Sequence, residues 1–359
     1  MAKRTVVPFG PQHPVLPEPI HLDLVLEDER VVEVIPSIGF IHRGLEKLCE
    51  IREYPEMVYI AERICGICSF IHGQTYCQAV EGVMKIDVPE RALFLRTIWA
   101  EMSRIHSHLL WLGLFADGFG FESLFMHSWR VREKLLDIVE ETTGGRVIFG
   151  TAKVGGVRKD IDNLTLNRIK GELKNIEKQC RELTSVFEKD DSVKRRTKGV
   201  GILKKEDAVA LGAVGPTLRA SDVEWDARKL GYAAYSKVDW QIVVEKDGDC
   251  YSRCIVRCKE LYQSFNIIYQ CIEKIPDGPI DVKVTGSPNG EYFARTEQPR
   301  GEVIHYVKAN GTKNLARFRV RTPTFANIAP LVKMLEGCEL ADVPVIVLSI
   351  DPCISCTER

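Results

Sequence analysis

A chain of 359 residues has room for one large domain or two or three small ones, and can bury about three quarters of its unfolded surface. Hydrophobic residues make up 45% and charged residues 28%, while 49 Lys+Arg against 50 Asp+Glu leave a net charge of −1. This ordinary globular composition excludes a nucleic-acid binder that relies on bulk positive charge. No apolar run approaches the roughly 18 residues of a membrane span, and the opening MAKRTVVPFG has no apolar core, so neither a spanning helix nor a secretory signal is expected.

In chain order, Ile20, Leu22, Leu24 and Leu26 alternate with mostly polar neighbours, and a charged turn at 27–30 leads into 31–35, which reads as a β-hairpin. Residues 57–81 read as a helix. So do residues 91–116, where Phe94, Ile98, Met102, Ile105 and Leu109 form one apolar stripe. A helix over 122–143 is stopped by Gly144-Gly145, and another over 160–187 carries Leu166, Ile169, Leu173 and Ile176. Residues 190–201 are polar and basic, and read as a loop. Residues 251–275 form a further helix, closed by Pro276-Asp277-Gly278. Asn310-Gly311 between 303–308 and 316–321 is a strong hairpin signal. The run 343–350 reads as a buried strand leading into Asp351-Pro352. With no repeat or linker, the expectation is one domain over residues 1–359, mainly α with small β elements (α+β), including an N-terminal and a C-terminal hairpin.

Twelve cysteines in a chain without an export signal point to metal ligands, catalytic groups or buried thiols rather than disulfides. Two Cys-x-x-Cys pairs, Cys65/Cys68 and Cys353/Cys356, stand near opposite ends of the sequence. On a helix, positions i and i+3 share a face, so both sulfurs of the first pair can reach one metal, with His72 four residues beyond Cys68 on that face. A structural zinc site uses the same paired spacing. However, zinc modules usually keep their pairs close, and such a site needs no Arg, His or Asp built around it. The run Cys250, Cys254, Cys258 has no iron–sulfur spacing and reads as buried thiols, as do Cys49, Cys77, Cys180, Cys271 and Cys338. His106 and His108 point to different helix faces, which argues against a shared metal.

Arg63-Ile64-Cys65-Gly66-Ile67-Cys68 with His72, and Asp351-Pro352-Cys353-Ile354-Ser355-Cys356 with Arg359, resemble the two signature motifs of [NiFe]-hydrogenase large subunits. Gly10-Pro11-Gln12-His13-Pro14 and His42-Arg43-Gly44-Leu45-Glu46-Lys47-Leu48 resemble the related catalytic subunit of respiratory complex I, which lacks the four cysteines. Having both sets makes the chain most similar to the energy-converting, Ech-type group, from residue 9 to the C-terminus.

That resemblance implies nickel held by four thiolates, with Cys65 and Cys353 terminal and Cys68 and Cys356 bridging to an iron that carries CO and CN⁻. Soft thiolates suit such a metal. It further implies that His72 donates a hydrogen bond to Cys68 and that Arg63 lies beside the thiolates. Asp351 would have a similar supporting role. Arg300, in Pro299-Arg300-Gly301, would overhang the open metal position and contact a cyanide. In Thr322-Pro323-Thr324, Pro323 and Thr324 would flank the centre, the Thr324 hydroxyl binding the second cyanide. Glu18 aligns with a proton-gate glutamate that receives the proton from Cys353.

The implied activity is reversible H2 formation, with iron–sulfur clusters in partner subunits only. Those partners are a small subunit with a [4Fe–4S] cluster, a further iron–sulfur subunit, ferredoxin, and integral membrane subunits that translocate H⁺ or Na⁺. The chain would be peripheral, on the cytoplasmic side of the cell membrane. The alternatives are a complex I-like quinone-reductase subunit or a structural four-cysteine zinc protein. Arg359 stands where many members of the group have a metal-binding His, so a usual ligand for a divalent ion is missing there.

Overall fold

The computed structural model describes residues 4–359. The N-terminal strands β1 (Arg4–Phe9), β2 (His21–Glu27) and β3 (Arg30–Ser37) form an antiparallel sheet in the order β1-β2-β3. Leu22, Leu24 and Leu26 of β2 are buried on one face, as the alternation predicts. The short helices α1 (Leu45–Leu48) and α2 (Val58–Glu62) lead to α3 (Ser69–Met84), α4 (Glu90–Gly118) and α5 (Glu122–Thr143). A two-stranded ladder, β4 (Ala152–Lys153) and β5 (Gly156–Val157), precedes α6 (Asn163–Lys189), α7 (Asp191–Thr197), α8 (Lys205–Ala210), α9 (Gly215–Arg219) and α10 (Cys250–Lys274). The second three-stranded sheet is β6 (Asn289–Gln298), β7 (Gly301–Asn310) and β8 (Leu315–Arg321). It is followed by α11 (Pro323–Leu335), α12 (Val343–Ser349) and α13 (Ile354–Glu358).

Helix α4 is the axis of the molecule. It packs against α5, α10 and α12 and is buried almost all round, so its apolar stripe of Phe94, Ile98, Met102, Ile105 and Leu109 is only part of what it hides. It also buries Arg96, Glu101, Arg104, His106 and His108. Each of these five makes at least one hydrogen bond. Arg219 bonds Glu260 at 2.7 Å and Glu297 at 2.8 Å and approaches Asp226 at 3.4 Å. Arg228 joins Asp226 to Glu101, and His108 meets Glu260 at 2.9 Å. Burial alone would raise the Glu101 carboxyl, but Arg104 and Arg228 pull it below its ordinary value.

The mainly α, α+β expectation holds, and so do the helices expected over 91–116, 122–143, 160–187 and 251–275. Helix α5 has the expected bounds, with Gly144 at φ 86° closing it in the left-handed region that glycine enters freely. Three local expectations do not hold. Residues 343–350 form helix α12, not a strand: an apolar run buried on every side carries no period to separate the two, and Pro344 in the first turn favours a helix start. Residues 57–81 are not one helix, because the chain breaks between α2 and α3 at the cysteines. The polar segment 190–201 contains α7, nucleated by the Asp190 carboxylate accepting the N–H groups of Ser192 and Val193. Each hairpin also gains a third strand, β1 and β6, that the sequence pattern does not announce.

Because Arg219 neutralises several buried carboxylates at once, Arg219→Leu should lower the unfolding free energy by about 3–5 kcal/mol, the scale for stranding buried charges. Denaturant unfolding checks this. A loss below about 1 kcal/mol would mean that the cluster is solvated rather than sealed.

Candidate metal centre

The first cysteine pair lies in the turn between α2 and α3. Cys68 is the N-cap of α3, and its N–H donates to Cys65 Sγ at 3.2 Å. The pair is therefore held by a turn that wraps a sulfur, not by the shared face of a continuous helix. Gly66 between them is exposed, and a side chain there would meet nothing within 4 Å. The second pair follows α12. Pro352 stops that helix from continuing, because the residue before a proline avoids the α region. Asp351 instead turns through φ 59°, a conformation that Asp tolerates better than most residues, and Cys353 becomes the N-cap of α13.

These two turns bring all four sulfurs into one buried cluster. Cys65 Sγ lies 2.9 Å from Cys68 Sγ and 3.4 Å from Cys353 Sγ, and Cys68 Sγ lies 3.8 Å from Cys356 Sγ. The sulfurs of Cys65, Cys68 and Cys356 are all within 4.8 Å of one another. Burial pushes the Cys68 thiol up, but hydrogen bonds from Cys356 and Cys65 and the charge of Arg300 outweigh it and bring it to about 6. A buried set of four soft donors, one already inclined to the thiolate, fits a thiophilic metal centre.

Arg300 reaches the cluster from the turn between β6 and β7. Its Nε donates to Asp351 O at 2.9 Å, Nη2 meets Asp351 Oδ1 at 2.8 Å, and Nη1 stands 3.9 Å from Cys68 Sγ. That turn is clamped from outside. A side chain on Gly215 would lie 2.3 Å from Arg300 O, so only glycine lets α9 press against the turn. Thr324 Oγ1 accepts the Cys353 N–H at 3.2 Å, and the neighbouring Thr322 Oγ1 donates to Cys356 O at 3.0 Å. Pro323 opens α11 between them.

Glu18 lies against the second pair. Its Oε2 accepts the N–H groups of Ile354 and of Ser355 (2.8 Å), and its Oε1 accepts the Ser355 hydroxyl at 2.7 Å. Ser355 Oγ is also 3.3 Å from Cys353 Sγ, so one hydroxyl stands between the thiol and the carboxyl. Burial, and then the charge of Cys353, raise the Glu18 carboxyl above its ordinary value. Glu18, Arg300 and Cys353 line one cavity of about 240 Å³, whose remaining wall includes Ile67, Leu114 and Trp129.

Two expected placements are corrected. His72 Nε2 lies 3.5 Å from Cys356 Sγ, not at Cys68: the His72 N–H bonds Cys68 O as in any first helical turn, but its ring is held by His305 and points to the second pair. Arg63 is exposed and donates to Tyr59 O at 2.7 Å, turned away from the thiolates. Sequence reasoning also missed two residues. Ser355 was legible in principle, since it sits inside the second motif. His305 was not: it comes from β7, 233 positions from His72, to place Nε2 3.1 Å from His72 Nδ1. Burial lowers His72 to about 3, so it is neutral with one N–H. An Nε2–H aimed at Cys356 then requires His305 to donate to Nδ1, which leaves His305 Nδ1 a bare acceptor, and that atom has no partner.

The family model of the respiratory-chain NADH dehydrogenase 49 Kd subunit matches residues 118–287 and 282–359, and that of nickel-dependent hydrogenase matches residues 43–114. The carbon monoxide-induced hydrogenase of Rhodospirillum rubrum is 39% identical over 356 residues, covering 98% of this chain and 99% of that protein. The membrane-bound hydrogenase subunit alpha of Pyrococcus furiosus is 38% identical, with 98% of this chain and 87% of that protein covered. In the solved structure of the membrane-bound sulfane sulfur reductase, an archaeal respiratory membrane complex, one chain superposes with a TM-score of 0.94 at 32% identity, covering 99% of this chain and 98% of that one.

Each of Cys65→Ser, Cys68→Ser, Cys353→Ser and Cys356→Ser should lower nickel content sharply, while Cys254→Ser, a buried thiol of α10 remote in sequence from both turns, should leave it intact. Metal analysis of the purified proteins decides. Full nickel in the Cys65→Ser protein would remove these residues from metal binding.

Proposed function

The chain belongs to the family that unites the respiratory-chain NADH dehydrogenase 49 Kd subunit with the large subunits of membrane-bound, nickel-dependent hydrogenases, and we propose that it is the hydrogen-converting subunit of an energy-converting complex. The observation that carries this reading is the convergence of four buried cysteine sulfurs beneath Arg300 and beside Glu18. Cys65, Cys68, Cys353 and Cys356 would hold nickel and an iron bearing CO and CN⁻, a group that supplies the heterolytic making and breaking of H2.

The protein's own residues handle the proton. Cys353 Sγ faces the cavity and is the group placed to receive it first, since the Arg300 guanidinium beside it is already protonated. From Cys353 it passes to Ser355 Oγ, whose own proton moves to Glu18 Oε1, so that the hydroxyl is a relay and ends neutral. The raised Glu18 carboxyl accepts protons more readily than an ordinary surface carboxylate would. Arg300, held by Asp351 in a fixed fork, keeps a positive charge over the thiolates in a site shielded from water. His72, neutral and oriented by His305, donates to Cys356 and steadies its charge.

Electrons would leave at the exposed Gly66 turn to a small subunit with a [4Fe–4S] cluster, then through a further iron–sulfur subunit to ferredoxin. No helix of the described residues is long and apolar enough to cross a membrane. Membrane attachment on the cytoplasmic side, and H⁺ or Na⁺ translocation, would therefore come from partner subunits. A second reading, a complex I-like reductase subunit, draws on the 49 Kd match over 118–359 and on the sulfane sulfur reductase likeness. Nickel and iron together, with infrared bands of bound CO and CN⁻, support the hydrogenase. Metal-free protein that is active in its complex supports the reductase, and zinc alone a structural site.

Two substitutions test the chemistry. Arg300→Lys keeps the charge but loses the planar fork, and should lower turnover by roughly two orders of magnitude or more at full metal occupancy; unchanged turnover would reduce Arg300 to a packing residue. Glu18→Gln keeps shape but cannot carry a proton. H2/D2O exchange should collapse in this protein while nickel and iron load normally, with Glu27→Gln as the silent control. Exchange at the unsubstituted rate would move the proton exit elsewhere.

A further inference from the structure

The segment His42-Arg43-Gly44-Leu45-Glu46-Lys47-Leu48 carries part of the family resemblance, yet the chemistry above uses none of it. Its structural setting is specific. Arg43 Nη1 donates to Arg63 O at 2.9 Å, and Nη2 donates to Ile64 O at 3.0 Å and to Ser355 O at 2.9 Å. The first two carbonyls belong to the residues just before Cys65, and the third belongs to the residue just before Cys356. Among the described residues no backbone–backbone hydrogen bond joins the turn at 63–68 to the segment 351–357. The backbones of the two ligand turns are therefore tied to each other through one guanidinium.

The base of that guanidinium is fixed. Gly44, at φ 66°, caps α1 and turns the chain so that Glu46 accepts Val320 N–H at 2.9 Å and Arg359 Nε at 3.0 Å. His42 Nδ1 donates to Glu358 O at 2.6 Å. The loop grips α13 on one side and projects Arg43 across both turns. A planar fork with donors in fixed directions suits three carbonyls from two segments, whereas an ammonium on a flexible stem does not impose that spacing.

We propose that Arg43 is a positioning residue that sets the separation of the two cysteine pairs, and through it the metal affinity and ligand geometry of the four-sulfur centre. The proposal rests on the reading that these four cysteines hold one metal centre. Because Arg43 is exposed at the rim, its bonds add little to global stability. Its effect is local, on the distance between Cys65 and Cys353 and between Cys68 and Cys356.

The test uses the full chain without its native metals, titrated with Co²⁺, whose d–d absorption reports the geometry of a thiolate site. Arg43→Gln should weaken Co²⁺ binding by about 10–100-fold, the range found when groups supporting metal ligands are removed, and should shift the d–d bands while Tm stays near the parent value. Arg43→Lys should restore little of either. Arg158→Gln is the control, since Arg158 lies over the Tyr59 ring and bonds Ala152 O, touching neither pair. Mild oxidation of metal-free protein gives a second readout: cross-pair disulfides such as Cys65–Cys353 should form in the parent and fall several-fold in both Arg43 variants, relative to Cys65–Cys68. Unchanged affinity, spectrum and disulfide ratio in folded Arg43→Lys would overturn the proposal, as would equal losses in Arg158→Gln. Parent protein that binds no Co²⁺ through these cysteines would instead overturn the four-cysteine centre itself, and the proposal with it.

Discussion

The structure depends on holding a short segment that cannot hold itself. Residues 353–358 carry half of the sulfur donors, yet α13 has only five residues, far below the length at which a helix is stable alone. It also pairs with no strand. Its backbone is satisfied by side chains from elsewhere: Glu18 takes two N–H groups, Thr324 takes the Cys353 N–H, Thr322 and Arg43 donate to carbonyls, and His42 donates to Glu358 O. The Glu358 carboxylate in turn accepts the N–H groups of Gly39 and Ile41. Each partner comes from a segment anchored in a sheet or helix of its own, so the position of two cysteines is the resultant of three remote elements.

The rest of the fold can be seen as the means of keeping those elements still. Helix α4 runs beneath the site, and Trp111 Nε1 on it donates to Leu348 O at 2.7 Å, tying α12, and hence the Asp351 turn, to the core. Arg257 of α10 lies against the Trp111 ring at 4.2 Å; burial lowers its guanidinium to about 10, while the charges of Asp351 and Glu260 act against that shift. The charged groups between α4 and α10 thus extend towards Asp351 and Arg300. In a low-dielectric interior such groups are costly to leave unpaired. A shift of Arg300 would have to carry Asp351 with it.

What the sequence disclosed follows from how local each signal is. The helices over 91–116, 122–143 and 251–275 were legible because a stripe or a stop lies within the element. Residues 343–350 were not, since complete burial erases the period on which the reading depends. The stretch 57–81 was misread because the residues around Cys65 are compatible with a helix, whereas the turn there is held by a sulfur accepting a backbone N–H. The expected partner of His72 fails for another reason: its ring partners, His305 and Cys356, are remote in sequence. The strands β1 and β6 went unseen: both lie at sheet edges and are mostly exposed, with polar or mixed sequences. The four cysteines, Arg300 and Glu18 were singled out through motifs, and the fold brings them together. His305 and the three carbonyls of Arg43 have no local signature, because their meaning lies in contacts across more than half the chain or between two remote turns.

On the proposed function, the arrangement would separate two kinds of traffic around one centre. On one side Gly66 leaves the first cysteine turn bare, so a partner can approach within a residue of the sulfurs, and electron transfer needs proximity more than any particular side chain. On the other side Glu18 lines both the inner cavity with Cys353 and an outer cleft with Gln12 and His13. A proton, unlike an electron, must be handed between atoms in hydrogen-bond reach, and that is where Ser355 and Glu18 stand. All four thiols are buried; what the first turn exposes is Gly66, not a sulfur. The proposed relay through Ser355 and Glu18 would need such enclosure, because one flooded by solvent would lose its protons to bulk water.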